Sequence, residues 1–172
     1  PGAASQNLPA KETSHMRGIH RSGRPLRDLL RGVVGAALLG AGPVMIVEGV
    51  RGRRQIRDEL AAQQITFPWE EGLPDRLAAL AGRRVETGPQ ARAYSELIKI
   101  HLQQATGGRT YAQISAEMAA GKGDEKLANL QQTAFMGEML RAGLLSSYQA
   151  WRLTSLVTGL GALLSGLGAV VL

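Results

Sequence analysis

The chain is 172 residues long, carries a net charge of +6, and has no cysteine. That composition excludes disulfides, thiolate metal ligands and cysteine nucleophiles, and the length is that of one domain. The positive charge invites a nucleic-acid partner, but its distribution opposes one. Residues 1–31 hold Lys11, Arg17, Arg21, Arg24, Arg27 and Arg31 against only Glu12 and Asp28. This excess flanks an apolar run, where basic side chains attract anionic lipid and hold a membrane helix in place. Aromatic and basic residues are not interleaved as a base-stacking platform requires.

Residues 1–15, PGAASQNLPAKETSH, are poor in large apolar side chains and are expected to form a disordered arm. Ser14-His15-Met16 looks like a cloning junction, with Met16 as the native start. Residues 16–28 form a basic juxtamembrane segment, with Pro25 in the first turn of the coming helix. Residues 29–50 predict a first transmembrane helix, uncharged from Gly32 to Val47 and kinked at Pro43. Gly32, Ala36 and Gly40 recur every four residues and predict a helix-packing face. Glu48, near the end of this run, is expected at the headgroup level, paired with Arg51 or another arginine there, rather than in proton handling.

Residues 51–151 predict a helical extramembrane domain. RGRRQIRDELAAQQ continues as helix, and the segment Phe67-Pro68-Trp69 to Pro74 reads as an irregular loop. A short helix is predicted over 75–81. A longer one opens at Thr87-Gly88-Pro89, with Thr87 as cap, and ends at Thr106-Gly107-Gly108. Another short helix spans 110–119. From Asp124, apolar residues recur every three or four positions without a strong breaker. This helix is expected to run into the last span, residues 152–172, as one rod. Leu153 to Leu172 contain no charged side chain, enough to cross a bilayer core about 30 Å thick. In this span Ala162 and Gly166, and Gly161 and Ser165, are four apart and predict packing against the first span. Arg27 and Arg31, with Tyr148, Trp151 and Arg152, are predicted at the membrane interfaces.

Three segments carry a resemblance: AAQQITFP, VETGPQARAYSELIKIHLQQATGGRTYAQIS and QTAFMGEMLRAGLLSSYQAW. Together they resemble a family of uncharacterised actinobacterial membrane proteins with two terminal spans around a helical region. The resemblance covers roughly residues 55–155. It implies an all-α fold with both termini cytoplasmic and the domain outside. Some such sequences are labelled ring-opening dioxygenases.

The residue inventory opposes that activity. A non-haem iron or zinc site needs two or three converging His or carboxylate ligands. His15 and His20 lie in the N-terminal arm, leaving only His101 in the folded part, without a second His at helical spacing. The serines lack a nucleophile-elbow pattern, and Glu96, Glu117 and Glu138 read as solvated helix faces. Glu138 can pair with Arg141 three residues on.

The expectation is therefore an all-α integral membrane protein with two transmembrane helices flanking a small helical domain. Its expected partners are the lipid bilayer and another membrane protein or a second copy, with no nucleic acid, cofactor or metal. The favoured function is a membrane-anchored interaction or accessory module in the plasma membrane. The alternative is a membrane-bound enzyme or sensor with a small-ligand pocket around Tyr94, His101 and Tyr111. A third, weaker possibility is a lipid-surface binder acting through the basic arm.

Overall fold

The computed structural model describes residues 24–69 and 73–172. The N-terminal arm and the start of the basic segment, with His15, Arg17, His20 and Arg21, lie outside the described residues. The architecture is all-α. Helix α1 spans Arg24–Ala62, α2 spans Gly88–Thr106, α3 spans Tyr111–Glu117 and α4 spans Glu125–Val171. A 3-10 turn covers Asp75–Leu80, and a π-type turn covers Met118–Lys122 between α3 and α4. Among the described residues the only β feature is one antiparallel bridge, Thr66 to Arg84.

Local chemistry sets the helix starts. Thr87 Oγ1 accepts from the Gln90 amide, while Gln90 Oε1 accepts from the Thr87 amide, closing a capping box before α2. Thr110 and Gln113 repeat the device before α3. Asp124 accepts from the Leu127 amide at 2.7 Å and caps α4. Gly107, with φ +62°, ends α2 in the left-handed conformation that glycine tolerates best. Pro43 lies inside α1 and does not end it.

A small core sits where α1 and α4 meet α2. Leu60 of α1, Ala91 and Leu97 of α2 and Leu144 of α4 close around Phe67, Leu77 and Val85. Phe67 is 1% exposed, and Tyr94 meets its ring edge-on at a centroid distance of 5.1 Å. The segment expected to be an irregular loop thus supplies a central core side chain. Two backbone bonds fix it: the Phe67 amide donates to the Arg83 carbonyl, and the Val85 amide to the Ile65 carbonyl, both at 2.9 Å.

Beyond this core, α1 and α4 run antiparallel as a long pair. Both are long and apolar enough to cross a membrane. Only 17% of the most apolar α1 stretch and 11% of the α4 stretch are buried, unlike the core helix of a soluble protein. The pair closes through residues too small to hold the backbones apart. Gly35, Gly42 and Gly49 of α1 face Gly161, Ser165, Gly168, Thr154 and Thr158 of α4. A Cβ on Gly42 would meet Ser165 Oγ and lie 2.7 Å from the Gly161 carbonyl. One on Gly161 would lie 2.6 Å from the Gly42 carbonyl. The hydroxyls in this seam are satisfied within their own helix: Ser165 donates to Gly161 O at 2.9 Å and Thr158 to Thr154 O at 2.8 Å.

This seam corrects the packing face expected from four-residue spacing. Gly161 and Ser165 lie in it. Gly32, Gly40 and Gly166 have open space where a Cβ would stand, and Ala36 and Ala162 are exposed. The reason is rotational. Steps of four residues advance about 40° around an α-helix, whereas steps of seven drift only about 20°. Gly35, Gly42 and Gly49 therefore stay on one partner over several turns, and Gly32, Ala36 and Gly40 turn away.

Candidate functional site

An open, mostly apolar groove of about 600 Å³ lies between α2 and α4. Ile98, His101, Leu102 and Ala105 form one wall, and Thr133, Met136, Gly137 and Leu140 form the other. The two walls share one spacing, i, i+3, i+4, i+7, which aligns a stripe along a helix. Gly137 lets the helices approach, since a Cβ there would lie 3.0 Å from Leu102 Cδ1. Met136 is 60% and Leu140 44% exposed, so the wall is unfilled by the chain itself. Phe135 and Met139 are also exposed beside it, and the Phe135 ring contacts Tyr111 at 5.8 Å.

Tyr94, His101 and Tyr111, expected around one pocket, lie in three different surroundings. Tyr94 packs into the Phe67 core, His101 lines the apolar groove, and Tyr111 stands on α3 against Phe135. The cause is axial: Tyr94 and His101, seven residues apart, share one face of α2, but the Tyr94 end meets the core and the His101 end meets α4. The groove contains no carboxylate, and among the described residues no three His, Asp or Glu side chains gather as metal ligands. Its polar side chains are His101 on one wall and Thr133 on the other. Glu138 and Arg141 pair at 2.7 Å, as the spacing predicts. Glu48 is exposed and accepts from Arg51 at 2.7 Å, a geometry that suits a headgroup-level acid.

A second cluster lies at the other end of α2, where α4 turns from polar to uncharged. Trp151 packs against Gly88 at the start of α2. The Arg53 guanidinium lies 5.1 Å from the Trp151 ring centroid and donates to Ser155 Oγ at 2.6 Å. Arg92 lies 5.2 Å from the Tyr148 ring and donates to its hydroxyl at 3.0 Å. Arg152 also acts on the Tyr148 hydroxyl. The Arg92 hydrogen bond, with the charges of Arg92 and Arg152, lowers the Tyr148 pKa below the ordinary value of 10.0, against some opposing desolvation. Tyr148, Trp151 and Arg152 were predicted at the interface, but their partners Arg53 and Arg92 were not. No periodicity links Arg92 to a tyrosine 56 positions away. Arg27 and Arg31 are exposed near the opposite end of the helix pair.

No protein-family model matches this chain, and neither a curated protein nor a solved structure shows significant similarity to it.

Proposed function

We propose that this chain is a membrane-anchored interaction module: α1 and α4 span the bilayer as a hairpin, and the α2–α4 groove receives a helix of another membrane protein. The open groove carries the reading. Its two matched apolar stripes suit a partner helix with apolar residues at i, i+3 or i+4, and i+7. Leu140 precedes Leu153 by 13 residues, so the groove stands about 20 Å outside the uncharged span. The occupant is therefore an extramembrane helix of its owner, not a span. The mostly apolar lining of the groove supports a helix as its occupant.

A photo-cross-linker placed at Met136 in native membranes tests the reading. The expected product is a single membrane protein, linked through an extramembrane helix and lost in the double variant M136E/L140E. Both residues are exposed, so the variant is expected to stay in the membrane and keep its thermal midpoint. Cross-links to lipid alone, or an unchanged product in the variant, would contradict it.

The same reading puts the chain in the plasma membrane with both termini cytoplasmic and the domain outside. The resemblance to the actinobacterial two-span family supports this; the arginine bias is slight, with Arg17, Arg21, Arg24, Arg27 and Arg31 before the first span against Arg51, Arg53, Arg54 and Arg57 just after it. The exposed Gln132, replaced by cysteine in this cysteine-free chain, reports the side. Labelling by an impermeant maleimide on intact cells is expected; labelling only after lysis would reverse the topology.

A further inference from the structure

Arginines from α1 and α2 stack on neighbouring rings of α4: Arg53 lies over Trp151 and donates to Ser155, and Arg92 lies over Tyr148, on whose hydroxyl Arg152 also acts. Of the other arginines along this boundary, Arg51 pairs with Glu48 and Arg57 with Glu86, while the exposed Arg54 shows no ion pair among the described residues. Arg53, Arg92 and Arg152 have no carboxylate partner among the described residues. The Arg53 Nε is moreover buried and has no hydrogen-bond partner. Bringing Arg92 and Arg152 to one hydroxyl is unfavourable by itself, and stacking of Arg53 on Trp151 and of Arg92 on Tyr148 orients the guanidinium groups without neutralising them. Stacking occupies the guanidinium face and leaves edge N–H donors, the group that binds phosphate in a bidentate manner. The position names the source. Arg152 is the last charged residue before the uncharged run from Leu153, and Gly52, beside Arg53, lies against Thr154 of that run. This is the depth of a lipid headgroup, where tryptophan and tyrosine rings also settle.

We infer that Arg53, Arg92 and Arg152 bind the phosphate of an anionic phospholipid in the leaflet facing the domain. The inference rests on α1 and α4 being membrane spans, and it is independent of what fills the groove. A zwitterionic headgroup would bring its own cation against three guanidinium groups, so selection for net negative charge follows. The Tyr148 pKa is lowered first by the Arg92 hydrogen bond and then by the charges of Arg92 and Arg152.

The test uses the full chain in neutral detergent, with Trp69→Phe leaving Trp151 as the reporting fluorophore. Phosphatidylglycerol in mixed micelles is expected to give a saturable change, and phosphatidylcholine and inorganic phosphate none. R92Q/R152Q is expected to weaken phosphatidylglycerol binding roughly 25-fold, about fivefold for each arginine near a membrane surface. Lys126→Gln, at the far end of α4, should leave it unchanged, and R92K/R152K, which keeps the charge but loses the planar fork, should fall between the original chain and R92Q/R152Q. Equal response to phosphatidylcholine, an equal response to inorganic phosphate, or full binding by R92Q/R152Q would each overturn the site. If carbonate washing releases the chain from membranes, the spans fail. If the chain resists carbonate but ignores phosphatidylglycerol, only the lipid site fails.

Discussion

The two halves of this molecule hold together by opposite means. In the domain, large side chains interlock: Phe67, Leu60, Leu97, Val85 and Leu144 fill one space, and water is excluded by bulk. In the helix pair, glycines set the contact, and the larger side chains in it, Leu39, Ile46 and Leu172, lie over glycines of the partner helix. Gly35, Gly42 and Gly49 let the backbone of α1 approach Gly161, Gly168 and the threonine and serine hydroxyls of α4. The difference follows from the solvent each half is suited to. Water drives burial of large apolar groups at about 25 cal/mol per Å². Between two helices in lipid that drive is gone, and close packing of small residues replaces it. The large side chains of α1 and α4, such as Val33, Val44, Leu156 and Leu163, therefore point outward.

Substitutions separate the two modes. The largest effect is expected from Phe67→Ala, which empties the centre of the core. About 4 kcal/mol of domain stability should be lost, seen as denaturation at lower denaturant in detergent, while the helix pair stays associated. If the pair separates with the domain, the two halves are one cooperative unit. Next comes Gly161→Leu, which forces a side chain against the Gly42 carbonyl and Ile46. A cost of about 3 kcal/mol is expected, against about 0.5 kcal/mol or less for Gly166→Leu, where the space is open. Equal costs would refute the seam.

Smaller effects mark the domain's local chemistry. Asp124→Ala removes the cap of α4 and Thr87→Ala that of α2, each expected to cost about 1 kcal/mol in thermal unfolding. The smallest effect is a titration. The Tyr148 phenol is held below its ordinary pKa, so between the lowered and ordinary values the folded chain has released a proton that the unfolded chain keeps. Stability therefore rises slightly with pH across that window, and the contribution is lost as pH falls below it. Ultraviolet titration should show one phenolate forming early, with Arg92→Gln moving it back towards 10.0. Early ionisation that persists in Arg92→Gln would assign the effect elsewhere.

The signals that sequence exposes are the local ones. Thr87, Asp124 and Gly107 act on backbone within four residues, so the starts of α2 and α4 and the end of α2 are legible without tertiary knowledge. The continuity of α4 is legible too, because its breakers are only isolated glycines. Phe67 is not: proline and tryptophan beside it suggest a surface loop, and its burial depends on pairing with Arg83, sixteen positions on. The packing seam is half legible. Small residues announce close approach, but glycine is so frequent in α1 that two faces compete, and only rotation over several turns chooses Gly35, Gly42 and Gly49. The groove and the arginine cluster are the least legible. Each joins side chains from separate helices, and nothing in the spacing of Ile98 or Arg92 identifies Met136 or Tyr148 across the gap.

Cysteine cross-linking in carbonate-washed membranes tests the anchored hairpin most directly, because the chain contains no cysteine of its own. A Cβ on Gly49 would stand against Thr158, within reach of a disulfide. The pair G49C/T158C is expected to oxidise within one chain that remains in the washed membrane, while G40C/G166C, on the outward faces, stays reduced. Release of the protein by carbonate, or cross-linking of G40C/G166C in place of G49C/T158C, would contradict the hairpin.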